Sequence, residues 1–473
     1  MTEMQKRLGL WTVVLLIFVP TFGFRNITNN SVALGAAAIP SWILVAVLFF
    51  LPLSAMIAEL SSNNSAKGGG IYSWIESGLG DRWAFIGTWS YFVANLFYLQ
   101  TVFSKIPVAI SWMMFGENRF DDSTTHYLPF IAMFFILLLT WIATRGVNKF
   151  SKLSDWGGIF TIVATVVFIF FALLGYMLGK TPAASVINVE TMAPAFDLAY
   201  FSTFSWLLFA VAGAEVAGTY AKEVDNPKRN FPRAVLIATA MIAGAYIIGS
   251  LAVSLIASPD VLTKAGLKDS GFVVYKILAE NWGLDGKIVV QIYSAIFVVT
   301  AIAAYVLWME SPIRAMFSDV PDNTFPKFLT TKNSDGMLTN ALWLQCALLL
   351  LLVAIPLLGI GTVEGFFRLL TDLSSLSLVI PYLILILAYV GFRVKKTQTS
   401  FTMFKSDAVA YTVSAVTFIV AMAGFVGAGM DYIDKSATLM DAMPMILKIY
   451  VGPLVLILAG MGLVALNRSL KSK

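Results

Sequence analysis

The sequence predicts an all-α membrane protein with about twelve transmembrane helices. Of its 473 residues, 58% are hydrophobic and 12% are charged, whereas charged residues make up about a quarter of a soluble globular chain. Apolar stretches of roughly 20 residues, each about as long as a bilayer is thick, recur along the whole chain. Residues 1–473 are therefore predicted to form a single transmembrane domain.

The predicted spans follow one another with mostly short connections. They lie near residues 9–38, 41–61, 83–114, 127–144, 155–179, 198–219, 233–258, 286–311, 339–358, 362–391, 407–429 and 444–466. Basic residues precede the first span, but it has no small-residue cleavage site, so it is predicted to be a retained helix and not a signal peptide.

Lys and Arg are distributed unevenly between the two sides of the predicted membrane. Alternating the spans from a cytoplasmic N-terminus places about two thirds of the 32 Lys and Arg residues on the cytoplasmic side, as the positive-inside rule requires. The sequence thus predicts a multi-pass protein of the cell membrane (the inner, cytoplasmic membrane) with both termini in the cytoplasm. The net charge of +5 follows from the same rule and does not indicate nucleic-acid binding.

The residue types in the chain exclude most catalytic and metal sites. There is one cysteine, Cys346, and one histidine, His126, too few for a His/Cys metal site or for Cys-His or Ser-His-Asp catalysis. We therefore predict no enzymatic activity, catalytic residue, metal or cofactor. The predicted partners are a small-molecule substrate and the lipid bilayer, with no nucleic acid, and no feature of the sequence specifies an oligomeric state.

The sixth span carries the most informative stretch of the sequence. Gly213 and Glu215 lie well inside it, although a charged side chain in the middle of a membrane helix costs about 2.5–3.5 kcal/mol on insertion scales. The carboxylate must therefore face a protein interior or a water-filled cavity. Two interpretations remain open: a discontinuous helix at a substrate site, or a packing glycine beside a buried, protonated glutamate.

The first span has a similar interruption, because Pro20, Gly23, Arg25 and Asn26 all weaken a lipid-facing helix. Spans one and six are five apart, as two inverted five-helix repeats with broken first helices would place them. The repeats are predicted to cover residues 9–179 and 198–391, followed by two additional helices in 407–466. Helix N-termini at such breaks attract a carboxylate and unwound carbonyls attract an ammonium, so a zwitterion fits between them.

Three motifs resemble those of the amino acid–polyamine–organocation (APC) superfamily of transporters. They are AELSSNNSAKGGGIYSWIESGLGDRWAFIGTW at 58–89, GAEVAGTYAKEVDNPKRNFPRA at 213–234 and ESPIRAMFSDV at 310–320. Within the superfamily the chain most resembles the glutamate/GABA antiporter group. The resemblance implies the LeuT-like 5+5 inverted-repeat fold, with a central site between spans one, three, six, eight and ten.

The resemblance also implies which residues form that site. The substrate-binding candidates that it implies are Thr21, Phe22, Gly23, Phe24, Arg25 and Asn26 in the first break, and Phe209, Ala210, Val211, Ala212 and Gly213 at the sixth-span break. Tyr98 on span three is a further substrate-binding candidate, as an aromatic residue suited to line the pathway. Phe209 stands where relatives carry an aromatic lid, and Glu215 matches a span-six glutamate assigned to gating. The chain departs from glutamate/GABA exchangers at Ala304, where they have an acidic residue.

Charged residues inside the spans leave two further choices open. Glu364, Arg368 and Asp372 recur every four residues on one face of span ten, either as a self-neutralising ion-pair stripe or with Asp372 in gating, selectivity or proton coupling. Arg25 cannot lose its proton inside the membrane. It either braces the broken helix through Glu215 or Asp372, or binds a substrate carboxylate.

The function that the resemblance implies is secondary active transport of amino acids by alternating access. The chain is expected to exchange an amino acid for a related amino acid or its decarboxylated amine. The alternative is a proton- or cation-coupled amino acid symporter. A transporter-like sensor or a membrane-embedded enzyme belongs to a different class, and an enzyme would need a pair of catalytic residues that the spans lack.

Overall fold

The computed structural model describes residues 8–64, 70–120, 123–124, 127–145, 151–181, 184–213, 215, 223–317, 324–354, 363–395 and 402–471. Within these ranges the regular secondary structure is helical, apart from an isolated β-bridge between Leu8 and Val224. The α-helices are α1 Leu10–Thr21, α2 Phe24–Leu34, α3 Ala38–Val45, α4 Leu51–Asn64, α5 Ile71–Leu79, α6 Asp81–Phe103, α7 Ile106–Phe115, α8 Leu128–Ala143, α9 Ser151–Met177, α10 Val189–Met192, α11 Leu198–Ala210, α12 Pro227–Ile256, α13 Pro259–Asn281, α14 Gly286–Phe317, α15 Lys327–Thr330, α16 Thr339–Ala354, α17 Val363–Val394, α18 Asp407–Gly427, α19 Asp431–Lys435 and α20 Leu439–Lys471. A 3₁₀ turn and a π-turn flank α3.

Several of these helices have the length and composition of membrane spans. Among the described residues, seven helical segments qualify: Phe24–Asn63, Asp81–Phe115, Trp156–Met177, Pro227–Ile256, Phe367–Val394, Asp407–Ile433 and Leu439–Gly462. Shorter apolar helices lie at Leu10–Thr21, Leu128–Ala143, Leu198–Ala210, Gly286–Ile302 and Thr339–Ala354. The prediction of an all-α, multi-pass membrane protein is confirmed.

The outer surface has the chemistry that lipid contact requires. Val166 on α9, Ile419 on α18 and Leu458 on α20 are each more than half exposed. Large exposed apolar areas are unusual on a monomeric soluble protein. Apolar faces of this kind are suited to contact with the hydrocarbon tails of lipids.

Two segments differ from the predicted spans, and a third contains an interruption. The span predicted at 83–114 is interrupted at Ser104 and Lys105, between α6 and α7, because Pro107 has no N–H to continue the α-helical bonding. The connection predicted between spans seven and eight is itself the helix α13, which Gly266 kinks with a φ of 64°. The segment predicted at 9–38 is interrupted at Phe22 and Gly23.

Helix α17 lies at the centre of the packing. It contacts α5, α6, α11 and α18, and its backbone approaches α5 so closely that a Cβ on Gly78 would lie 1.8 Å from the carbonyl oxygen of Ala388. Helix α12 packs against α1 and α4, and α14 packs against α7, α9 and α13. These contacts surround α1, α2 and α11 with other helices.

A buried ionic network joins α4, α17 and the segment before α18. Glu59 is fully buried, and its Oε1 lies 2.8 Å from Nη1 of Arg393. Its Oε2 accepts hydrogen bonds from the Tyr389 hydroxyl and the Met403 N–H, both at 3.0 Å. Arg393 also binds Asp407, with Nη2 and Oδ1 2.9 Å apart. The network ties three separate chain segments at one end of the helix bundle.

Candidate functional site

Two chain interruptions define the candidate site. Helix α1 ends at Thr21, two residues of extended backbone follow, and α2 starts at Phe24. Helix α11 is capped at its N-terminus by Asp197, whose Oδ1 accepts the N–H of Tyr200 at 2.7 Å, and it ends at Ala210. Gly213 beyond it has a φ of +134°, so the helix does not continue through the predicted sixth span.

The two interruptions lie against each other. A Cβ on Gly213 would be 2.4 Å from Oγ1 of Thr21 and 3.1 Å from its Cα. Only glycine avoids both this contact and the strain of its φ angle. Gly213, which the sequence analysis singled out, therefore lies at a close approach of the two interruptions.

Tyr246 on α12 binds both interruptions through one hydroxyl group. That hydroxyl bonds to the carbonyl oxygens of Thr21 (3.1 Å) and Ala210 (2.8 Å), and it accepts the N–H of Gly23 (3.3 Å) and the Nδ2 of Asn26 (3.2 Å). Its ring stacks on Trp42 with a centroid distance of 4.2 Å. The sequence analysis missed this residue, because nothing in its apolar segment distinguishes it from a packing tyrosine.

A cavity of about 180 Å³ opens beside the α1–α2 interruption. Helices α6, α9 and α14 complete its wall. The predicted site residues on its lining are Thr21, Phe22, Gly23, Phe24, Arg25, Asn26, Tyr98 and Phe209. Lining residues that the sequence analysis did not select include Thr101, Lys105, Tyr293, Phe297, Tyr305 and Trp308. Its volume is below the roughly 300–1,000 Å³ of drug-sized pockets and suits a small ligand.

A smaller cavity of about 30 Å³ adjoins the first and shares Thr21, Asn26, Tyr98 and Phe209 with it. Ala210, Ala212 and Glu215 are on its lining. The volume is about one water molecule's share of liquid water. The aromatic rings of Tyr98 and Phe209, with centroids 5.6 Å apart, lie where the two cavities meet.

Glu215 is held by donors near the second interruption. Its Oε2 accepts the Gly213 N–H at 3.1 Å and the Tyr382 hydroxyl at 2.8 Å. Its Oε1 is buried without a hydrogen-bond partner among the described residues. An unfilled acceptor beside a small cavity can bind a water molecule or an ammonium group.

Two of the predicted site residues, Val211 and Asp372, line neither cavity. Val211 is buried and lines neither cavity. Asp372 is fully buried away from them, with its Oδ1 2.7 Å from Nε1 of Trp206 and its Oδ2 3.2 Å from the Tyr432 hydroxyl. Trp206 lies one turn before the end of α11, so Asp372 contacts the helix that leads into the interruption.

The predicted ion-pair stripe on span ten takes a different form. Arg368 pairs with Asp431 of α19 at 2.8 Å, and Lys435 binds the same carboxylate oxygen at 2.6 Å. No ion pair joins Arg368 to Asp372 among the described residues. The side chains of Glu364 and Ala304, along with His126 and residues 216–222 of the sixth-span motif, lie outside the described part of the chain.

Arg25 projects from the first turn of α2 toward α13 and α14. Its Nη2 donates to the carbonyl oxygen of Leu267 at 3.1 Å, and its guanidinium carbon lies 5.8 Å from the centre of the Phe297 ring. No carboxylate lies within 4.0 Å of it among the described residues. The predicted bracing pairs with Glu215 and Asp372 are therefore not formed in this conformation.

In the parts of the chain that the structure describes, no group of three or more His, Cys, Asp and Glu side chains is arranged to hold a metal ion. A helical bundle with apolar outer faces, enclosing a cavity beside two interrupted helices, is the architecture of a membrane transporter. The chain belongs to the amino acid permease family, whose model matches residues 8–466. The resemblance to APC-superfamily transporters is thus confirmed, and the protein is a transporter and not an enzyme.

Curated relatives match most of the chain at low identity. The aspartate/glutamate permease AcaP of Lactococcus lactis subsp. cremoris is 28% identical over 464 residues, covering 96% of this chain and 94% of the relative. The inner membrane transporter YjeM of Salmonella typhimurium is 27% identical, covering 89% of each chain. A glutamate/gamma-aminobutyrate antiporter of Lactococcus lactis subsp. lactis is 23% identical, covering 74% of this chain and 69% of the relative. Family and relatives support amino acid transport.

Proposed function

We propose that the protein is a secondary active transporter that exchanges an amino acid for a related amino acid or its decarboxylated amine across the cytoplasmic membrane. The observation that carries this proposal is the meeting of two interrupted helices at Tyr246, beside a cavity that Arg25 and Asn26 line. The N-terminal end of α2 suits a carboxylate, and carbonyls at the ends of α1 and α11 suit an ammonium. The similarity to a glutamate/gamma-aminobutyrate antiporter supports exchange.

For the architecture we propose twelve spans, with inverted five-helix repeats at 9–179 and 198–391 and two additional helices in 407–466. Support comes from the seven long and five shorter apolar helices among the described residues. The interruptions fall in the first helix of each proposed half, as such a repeat requires. Both termini are proposed to be cytoplasmic, on the Lys/Arg asymmetry of the loops.

For the substrate site we propose the residues around both interruptions, with Tyr98 and Phe209 as the aromatic pair that covers the ligand. We propose gating or coupling roles for Glu215 and Asp372. Glu215 contacts the second interruption directly, and Asp372 contacts α11 through Trp206.

The second candidate function is a proton-coupled symporter, which one observation favours. Asp372 is buried against two uncharged donors, with no cation within 4.0 Å among the described residues. A buried carboxylate without a cation is costly to ionise. Such a group is suited to carrying a proton.

Counterflow distinguishes the two functions. In proteoliposomes preloaded with unlabelled amino acid, uptake of the labelled amino acid is expected to be at least tenfold faster than in empty vesicles, because an exchanger reorients slowly when empty. Initial rates with and without internal substrate measure this difference. An imposed pH or sodium gradient tests the alternative. If it drives uptake into empty vesicles as fast as counterflow does, the protein is a symporter.

Tyr246→Phe is expected to reduce uptake about tenfold or more while keeping the ring that stacks on Trp42. Removing the hydroxyl leaves buried carbonyl and N–H groups of both interruptions without their shared partner, at about 1–3 kcal/mol. Initial uptake rates and protein levels in membranes measure the effect. The matched control is Tyr450→Phe, since the Tyr450 hydroxyl also bonds two carbonyls, of Phe425 and Val426, away from the interruptions. Equal losses in the two variants would remove Tyr246 from the site.

A further inference from the structure

The guanidinium of Arg25 has more donors than the protein fills. Five N–H groups are available on an arginine side chain, and one protein acceptor, the Leu267 carbonyl oxygen, bonds to it among the described residues. The group lines the 180 Å³ cavity. A cation that cannot lose its proton in a membrane interior needs anionic or carbonyl partners for its donors.

The acidic groups near Arg25 are bound to other residues. Asp269 on α13 faces it across the cavity wall, but its two oxygens accept Nε1 of Trp112 at 2.7 Å and Nδ2 of Asn118 at 3.2 Å. Burial raises the pKa of Asp269, while those two hydrogen bonds act in the opposite direction. Glu215 lies on the adjoining cavity and is bound by Gly213 and Tyr382.

The guanidinium therefore gives the larger cavity a positive charge. The described lining of this cavity contains no Asp or Glu to balance Arg25. A neutral zwitterion leaves this imbalance unchanged, and a decarboxylated amine without other charges increases it. A ligand with a second carboxylate carries one net negative charge and reduces it.

The position of the guanidinium shows which part of a ligand it meets. The backbone groups suited to an amino acid's α-carboxylate and ammonium lie around Thr21 and Gly213, next to Tyr246 of α12. The guanidinium instead extends to Leu267 of α13 and Phe297 of α14. The backbone groups and the guanidinium thus lie near different helices. This separation allows them to bind the two ends of one ligand.

We propose that the cavity selects acidic amino acids, and that Arg25 binds the carboxylate of the substrate side chain. The proposal rests on the proposed transport function and narrows its substrate class. The proposal also predicts that an exchange substrate without a side-chain carboxylate is transported poorly.

Three ligands of similar size test which carboxylate Arg25 binds. L-Glutamate has both carboxylates, L-glutamine lacks the one on the side chain, and 4-aminobutanoate lacks the α-carboxylate. Apparent KM values are measured for each labelled ligand in preloaded proteoliposomes, for the unmodified protein and for Arg25→Gln. Aspartate, asparagine and 3-aminopropanoate form a shorter series for the same measurement.

The unmodified protein is expected to prefer glutamate over glutamine, or aspartate over asparagine, by at least tenfold. Arg25→Gln should raise the KM of the acid and of the ω-amino acid tenfold or more, because it removes a charge-assisted hydrogen bond. The KM of the amide should change less than threefold. Arg25→Lys, which keeps the charge without the planar fork, should recover part of the loss.

Arg368→Gln is the matched control, because Arg368 is a membrane-embedded arginine already paired with Asp431. It should change the KM of acid and amide by the same factor. Equal weakening of acid and amide by Arg25→Gln, or no preference for the acid in the unmodified protein, would overturn the inference. Counterflow of a neutral or basic amino acid alone would also overturn it while leaving the proposed function intact, whereas no counterflow of any amino acid would reject the function itself.

Discussion

Gly213→Leu is expected to abolish transport while leaving membrane insertion and most of the fold intact. The backbone at Gly213, with a φ of +134°, is a conformation that side-chain-bearing residues rarely adopt, at a cost of about 1–3 kcal/mol. Even the first carbon of a side chain would lie 2.4 Å from Oγ1 of Thr21. A leucine side chain would push apart the two interruptions that form the proposed site.

Substitutions of increasing size at Gly213 distinguish a local effect on the proposed site from misfolding of the protein. Gly213→Ala should already lower the initial uptake rate tenfold or more, and Thr21→Ala should partly restore it by removing the closest atom. Gly244→Ala in α12 is the matched control, because nothing lies within 4 Å of a Cβ added there, and alanine favours a helix by about 0.8–1.0 kcal/mol over glycine. Normal uptake by a well-expressed Gly213→Leu protein would exclude this segment from the site.

The interruptions themselves could be predicted because their signals are local. Pro20 and Gly23 in the first span, and Gly213 in the sixth, weaken a helix wherever they stand. Glu215 added an electrostatic signal, since a carboxylate in the middle of a span needs a polar surrounding. The structure places all four residues at or next to the two interruptions.

What holds the interruptions together could not be predicted, because it depends on residues far apart in the chain. Tyr246 lies 225 residues from Thr21 and 36 from Ala210. One tyrosine in an apolar helix has no pattern that reveals its hydroxyl partners. Only the packing of α12 against α1 places that hydroxyl between the two backbones.

The ion pairs of the charged residues could not be predicted from the sequence for the same reason. The spacing of Arg368 and Asp372 suggested a pair on one helix face, yet Arg368 binds Asp431, which is 63 residues away. Helical spacing brings two side chains near each other, but a better-placed partner from another element can replace the local one. Helix α13 was missed because its sequence is too polar for a span and was assigned to a connection. By contrast, the interruption at Ser104 and Lys105 had a local signal in Pro107.

The ionic network around Glu59 gives the largest expected effect on stability. Glu59 is fully buried, and the Arg393 side chain is 7% exposed. Removing one partner of such a pair leaves an uncompensated charge in an apolar interior, at a cost of about 3–5 kcal/mol. Arg393→Met is therefore expected to destabilise the protein by about this amount, because Tyr389 and Met403 donate only uncharged hydrogen bonds to the carboxylate.

The chain provides its own reporter for this measurement. Cys346 is the single cysteine of the sequence and is 1% exposed, so a thiol-reactive fluorophore labels the protein only as it unfolds on heating in detergent. Arg393→Met should clearly lower the midpoint temperature of thermal unfolding. The double variant with Glu59→Gln should regain much of the loss, since the buried charge is then gone as well.

Lys395→Met is the matched control, two residues along the same chain. Its ammonium is exposed and donates to the Ser77 carbonyl oxygen at 3.0 Å, and exposed interactions of this kind contribute about 0–1 kcal/mol. Its midpoint should stay close to that of the unmodified protein. If Arg393→Met shifts the midpoint no further than Lys395→Met, or if adding Glu59→Gln lowers it again, then the network does not stabilise the fold through charge pairing. A fall for Arg393→Met alone, with recovery in the double variant, would show that the buried pair joins α4 to α17.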